Sequence, residues 1–153
     1  DVLVESEPLE KNVYVVSGVG ETTDSAAKPQ AKTLEPITPL LKGADIENGK
    51  KLINKCVQCH TFDKGGANKV GPNQYGVVGG HFGHKDDFAY SDAIKGKKDS
   101  TWDFEALNAF IANPKTYLPG TKMAFAGIAS AKDRADLIAY LRTLSDNPLS
   151  LPE

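Results

Sequence analysis

Cys56-Val-Gln-Cys-His60 is the stretch of this 153-residue chain where residue types and spacing point to a definite chemistry. Two thiols two residues apart near a helix end can each reach one vinyl group of a haem and form a thioether. The adjacent histidine then stands under the iron and offers a nitrogen ligand. The same five residues also suit a disulfide-forming dithiol in an oxidising compartment. Half of a zinc site is a third reading, with His81 or His84 drafted as a further ligand. Cys56 and Cys59 are the only cysteines, so whichever chemistry operates uses both.

Met123 favours the haem. It is the sole methionine, and it sits in Tyr117-Leu-Pro-Gly-Thr-Lys-Met123, a loop with two turn-formers. A lone methionine is usually a flexible core filler, but fillers sit more often on periodic helix positions. A thioether sulfur is a soft ligand that suits haem iron opposite histidine, and His/Met ligation raises the reduction potential. With both axial positions taken by protein, no site is open for oxygen or peroxide. The expectation is one-electron transfer and no enzymatic activity. A haem-based sensor or peroxidase-like enzyme would need Met123 to be labile. His81 and His84, in Gly79-Gly-His-Phe-Gly-His84, read as surface-loop histidines.

These residues need a scaffold, and the periodicity supplies it. Asp45 is a plausible N-cap for a helix carrying Ile46, Gly49, Leu52, Ile53 and Cys56 on one stripe. Residues 61–87 hold seven of the 14 glycines and little periodicity. A loop of that length implies that something other than protein fills the space it encloses. A second helix should begin near Ser100 or Thr101, with Trp102, Ala106, Leu107, Phe110 and Ile111 on one face, and should end at Pro114. A third starts from Ser130 as N-cap, with Leu137, Ile138, Leu141 and Leu144 inward. Beyond residue 43 no run alternates over strand lengths, so the fold class is all-α.

Composition excludes several alternatives. Lys and Arg total 18 against 20 Asp and Glu, a net charge of −2. That argues against nucleic acid as partner, which calls for a basic domain. No apolar run approaches the ~20 residues of a membrane span. No signal peptide stands at the front, and the chain does not open on methionine, so it reads as processed or truncated. Charge is uneven: residues 1–42 carry seven acids against four lysines, and Pro8, Pro29, Pro36 and Pro39 fall there too. Such a segment buries too little to offset its chain entropy and reads as a linker over 1–43, with Val13 to Val16 as a candidate short strand.

The ordered motifs from Ala44 to Leu144 resemble the class I c-type cytochromes, of the mitochondrial cytochrome c type. They are Asn48-Gly-Lys-Lys-Leu52, Cys56–His60, Lys69-Val-Gly-Pro-Asn73, Phe88-Ala-Tyr-Ser-Asp-Ala93, Trp102, Asn113-Pro-Lys115, Tyr117 to Met123, Phe125-Ala-Gly-Ile128 and Asp136-Leu-Ile-Ala-Tyr-Leu141. The resemblance implies helices and loops wrapped around one haem c, attached covalently through Cys56 and Cys59. The haem domain would span 44–147, followed by a C-terminal tail at 148–153. It implies crossing first and last helices, with Gly49 letting Leu137 and Tyr140 approach. His60 and Met123 would be the iron ligands. Pro72's carbonyl, after Gly71, would accept from the His60 ring and fix its orientation. Tyr90, Trp102 and Thr121 fall where donors to the haem propionates belong, and Phe125 also lies in the cofactor-binding set.

Three positions depart from that pattern. Phe110 replaces a tyrosine that donates to the Met sulfur, Ile94 replaces an Asn of a polar network, and Gly80 replaces an Arg that supports a propionate. Lys51, Lys55, Lys69, Lys115 and Lys122 match the lysines ringing the exposed haem edge, a patch that steers acidic redox partners. The resemblance implies a cytochrome bc1 complex as electron donor and a terminal oxidase as acceptor. The acidic front segment is similar to the tether of bacterial membrane-anchored cytochromes c. That implies a monomer on the periplasmic side of an inner membrane, contacting it only through a missing N-terminal anchor. Some 42 flexible residues would reach roughly 35 Å, from about 5–6 Å times the square root of length.

Overall fold

The computed structural model describes residues 34–153. Val13 to Val16 and most of the acidic segment lie outside the described residues. A compact unit runs from Glu35 to Glu153. It opens with a 3-10 turn at Thr38–Leu40, followed by helix α1 (Ile46–Leu52), which tightens into a 3-10 turn at Ile53–Lys55. Helices α2 (Asp92–Lys95), α3 (Phe104–Ala112), α4 (Pro114–Tyr117) and α5 (Ala131–Thr143) complete the order. No strand occurs among the described residues, where the extended pairing is an isolated antiparallel bridge between His81 and Thr101. The all-α expectation holds.

Each α-helix starts where a side chain can accept from an otherwise unpaired N–H: Asp45, Ser91, Asp103, Asn113 and Ser130. Asp45 and Ser130 are the caps the periodicity predicts. Helix α3 begins later than Ser100 or Thr101, because the Asp103 carboxylate accepts from Ala106 N at 2.8 Å. Trp102 is therefore not on the helix face: its N–H donates to Gly80 O at 2.7 Å and its carbonyl accepts from Gly79 at 2.8 Å. Pro114 ends α3 as expected, and it also opens α4, where its missing N–H is not needed.

Helices α1 and α5 meet at Gly49. A Cβ there would lie 2.1 Å from Asp136 O and 2.8 Å from Tyr140 Cβ, so the closest approach is to the Asp136 backbone and Tyr140. Beside the crossing, the buried Asp136 carboxylate accepts from Asp45 N at 2.8 Å, Asn48 Nδ2 at 2.8 Å and Lys132 Nζ at 2.7 Å. Burial alone would raise its pKa, but these donors outweigh burial and hold it below the usual aspartate value.

The expected boundary at residue 43 is corrected: folded chain starts earlier. Ile37 and Leu41 are buried in the core. The Glu105 carboxylate accepts from Ile37 N at 3.0 Å, Thr38 N at 2.8 Å and Thr38 Oγ1 at 2.5 Å. Asn108 Nδ2 adds a bond to Glu35 O at 3.0 Å. A carboxylate on α3 and two apolar side chains thus offset the entropy that composition alone left uncompensated. The tail assigned to 148–153 is likewise packed. Leu149 and Leu151 lie against the core, and Arg142 Nε donates to Leu149 O at 2.5 Å.

Burial pushes the Glu105 pKa up, but hydrogen bonds from Thr38, Asn108 and Ile37 outweigh it and leave it low. A depressed folded-state pKa stabilises above the unfolded value and stops doing so as pH falls through the folded one. Glu105→Ala should therefore cost about 1–3 kcal/mol at neutral pH and flatten the acid limb of the stability profile. Urea melts at neutral and acid pH check this, together with faster amide exchange at Ile37 and Thr38.

Candidate functional site

After the 3-10 turn at Ile53–Lys55 the backbone coils once more. Cys59 N–H and His60 N–H both donate to Cys56 O, at 3.0 and 2.9 Å. One turn of chain thus gathers two sulfurs and an imidazole. Cys56 is half-buried and Cys59 exposed. Burial pushes the Cys56 thiol up to about 11, with Cys59 adding to the shift and Lys55 opposing it. Among the described residues no three His, Cys, Asp or Glu side chains gather around a metal position. An S–H group is what a thioether needs, adding sulfur to one vinyl carbon and its proton to the other.

The imidazole is held by the loop that follows. A Cβ on Gly71 would lie 2.2 Å from His60 Cε1 and 2.7 Å from Nδ1, so only bare backbone lets the ring settle there. Gly71 N donates to Cys59 O at 2.7 Å, which ties loop to turn. His60 Nδ1 lies 2.7 Å from Pro72 O. A carbonyl only accepts, so Nδ1 carries the proton and Nε2 keeps a free lone pair. Burial lowers the His60 pKa despite the opposing Pro72 bond, which favours the neutral ring that a metal ligand requires.

The Met123 loop is built separately. Thr121 N donates to Leu118 O at 3.0 Å, and Met123 N to Thr121 Oγ1 at 3.2 Å. Lys122 Nζ donates to Ala89 O at 3.2 Å, bridging this loop to the Tyr90 segment. There Tyr90 Oη accepts from Lys85 N at 3.1 Å. Both hydroxyls, Thr121 and Tyr90, thus accept from backbone and keep an O–H proton to donate, a donor set suited to carboxylates. Trp102 is buried, stacked on Phe82 at 3.8 Å and tilted on Phe110 at 5.1 Å. Phe125 is half-buried against the core. The structure therefore unites Cys56, Cys59, His60, Gly71 and Pro72 in one knot and links Tyr90 with Thr121, Lys122 and Met123 in another. No hydrogen bond among the described residues joins the two. The Nε2 lone pair, the bare Gly71 backbone and the two hydroxyl donors fit a haem carrying propionates.

Two readings of the Gly-rich stretch change. His84 is no surface histidine: both ring nitrogens are buried with no hydrogen bond of good geometry among the described residues, and burial, with Lys85 adding and the Asn73 backbone opposing, lowers its pKa to about 4. His81 is exposed as expected. The loop over 61–87 also fills part of its own space, burying Val77, Val78 and Phe82. Neither Phe82 nor Gln74, which touches both Pro72 and His60, was legible, since neither sits in a periodic pattern. At Gly80, where the resemblance puts an arginine, a Cβ would lie 2.9 Å from Gly76 O, so a side chain there needs a shift of the backbone. Lys51, Lys55, Lys69, Lys115 and Lys122 are all exposed.

The family model described as "Cytochrome c" matches residues 46–145. A "Cytochrome c homolog" of Bradyrhizobium diazoefficiens is 54% identical over 123 residues, covering 80% of this chain and 66% of that protein. The "Cytochrome c" of Euglena viridis is 52% identical over 103 residues, covering 67% of this chain and 99% of its own length. The solved structure of cytochrome cH from Methylobacterium extorquens superposes with a TM-score of 0.60 at 44% identity, over 65% of this chain and 99% of that one. The chain belongs to the cytochrome c family of electron carriers, with a haem c bound covalently through Cys56 and Cys59.

Proposed function

We propose that the chain carries single electrons in a respiratory chain, with His60 and Met123 as the two axial ligands, and that it is not an enzyme. The observation that carries this is the His60–Pro72 bond at 2.7 Å, which orients the ring and leaves Nε2 free to ligate. When bound, the haem supplies an iron that changes by one electron. The chain's part is to fix the ligands, exclude water and present an edge. Met123, half-buried in a hydrogen-bonded loop, supplies a soft sulfur that favours the reduced state. Tyr90 and Thr121 offer O–H donors, and Trp102 its indole N–H, to the propionates. The visible spectrum tests the ligation. Sharp reduced haem c bands untouched by carbon monoxide, with a weak far-red sulfur-to-iron band when oxidised, support it. A spectrum shifted by carbon monoxide points instead to a sensor or peroxidase-like role.

The partners follow from the exposed surface. Lys51, Lys55 and Lys69 stand near the attachment turn in sequence, and Lys115 and Lys122 flank the Met123 loop. Lys69 Nζ donates to Val57 O, and Val57 and Val70 beside it are 38% and 78% exposed. Cations around a small apolar spot suit a weak, fast redox encounter with an acidic partner. A cytochrome bc1 complex as donor and a terminal oxidase as acceptor are such partners. Raising ionic strength from about 0.01 to 0.15 M shortens the Debye length from roughly 30 to 8 Å. Association with an acidic partner should then slow several-fold in stopped-flow electron exchange, and an unchanged rate would remove the lysines from docking.

The same reading places the chain on the periplasmic side of a bacterial inner membrane, as a monomer on an anchored tether. Among the described residues no helix is long and apolar enough to span a bilayer. The precursor's N-terminus tests the tether: a retained apolar helix supports it and a cleaved secretory signal removes it.

A further inference from the structure

Gln74 stands at the back of the His60 knot. Its backbone is fixed on both sides, its N–H donating to Thr61 O at 2.8 Å and its carbonyl accepting from Val77 N at 3.1 Å. Its half-buried side chain turns back so that Nε2 lies 3.1 Å from Pro72 O and 2.9 Å from His60 Nδ1. Pro72 has no N–H, but its carbonyl has two lone pairs. One takes the His60 Nδ1 proton and the other takes a Gln74 amide proton. The amide is oriented with its NH2 end toward the carbonyl, as a donor. The 2.9 Å between the two nitrogens follows from both converging on one oxygen.

We propose that Gln74 is a positioning and tuning residue for the iron ligand: by sharing the Pro72 carbonyl with His60 it weakens the bond that makes the imidazole electron-rich, and so favours the reduced state. A hydrogen bond from Nδ1–H to a carbonyl pushes electron density toward Nε2 and strengthens it as a ligand to the more positive ferric iron. A second donor on the same oxygen draws on its lone-pair density and weakens the first bond. The amide also places the positive end of its dipole 2.9 Å from the ring, which disfavours extra positive charge at the iron. Both effects have the same sign.

The inference rests on His60 as an axial ligand. That is read independently in the reduced wild-type protein, where imidazole protons shifted far upfield by the haem ring current report ligation. Gln74→Met, close in length without a donor, and Gln74→Leu are then compared with wild type by midpoint potential and by the His60 Nδ1–H resonance. Both variants should shift the potential downward, equivalent to about a three- to tenfold change in the oxidised-to-reduced ratio, the strength of one ordinary hydrogen bond. The Nδ1–H resonance should move downfield as the bond to Pro72 tightens. A potential that stays put or rises in both variants, with an unmoved Nδ1–H signal and an intact far-red band, overturns the inference while leaving ligation standing. Absence of upfield-shifted imidazole protons in the wild type would instead remove the ligand assignment itself.

Discussion

Met123→Ala should turn a reduced haem that carbon monoxide leaves untouched into one that binds it. The alanine has no sulfur, and in this chain no second methionine can replace the first. The loop that presents it has its own support: Lys122 remains tied to Ala89 O and Thr121 N to Leu118 O, whatever the side chain at 123. The variant should therefore fold and keep its covalent haem while losing its sixth ligand. Its oxidised spectrum should lack the far-red sulfur-to-iron band, and its potential should fall with the loss of a ligand that favours ferrous iron. Carbon monoxide binding indistinguishable from wild type would show that another group holds the sixth position.

Gly49→Ala should strongly destabilise the fold although it adds a single methyl group. Helix propensity alone predicts a gain of about 1 kcal/mol for replacing an interior glycine by alanine. The crossing overrides it. The new Cβ would lie 2.1 Å from the Asp136 carbonyl oxygen and 2.7 Å from its carbon, and backbone cannot swing aside as a side-chain tip can. Separating α1 from α5 also stretches the Asp45 and Asn48 bonds to the Asp136 carboxylate. Overpacking costs about 1–3 kcal/mol, occasionally more, and a clash with a backbone carbonyl belongs at the upper end, so the net should be a loss of about 2 kcal/mol. Denaturant melts check it against Gly43→Ala, where an added Cβ meets nothing within 4 Å. Equal stability for the two variants would mean that the helices do not meet at Gly49.

The resemblance implies Pro72 as the acceptor, and Pro72 O lies 2.7 Å from His60 Nδ1. It carried no information on Gln74 or Glu105, because each acts on a partner that sequence spacing does not reveal. Glu105 reaches Ile37 and Thr38 across 68 and 67 residues of chain. No local pattern in a proline-containing, acidic segment announces such a contact. The start of α3 was misplaced for a related reason. Ser100, Thr101 and Asp103 are all competent caps, and the choice among them fell to Trp102, whose backbone is drawn into pairing with Gly79 and Gly80.

The sequence by itself determined the reactive groups and their spacing: two cysteines set for covalent attachment, a histidine beside them, a lone methionine in a turn, and helices with periodic apolar faces and competent caps. These are properties of residue type and short-range spacing, which the chain carries whatever its fold. Tertiary structure alone decided where the folded unit begins, which histidine is buried, and how the His60 ring is gripped. Those depend on desolvation and on hydrogen bonds closing between distant segments, and their strength exists only once packing has excluded water.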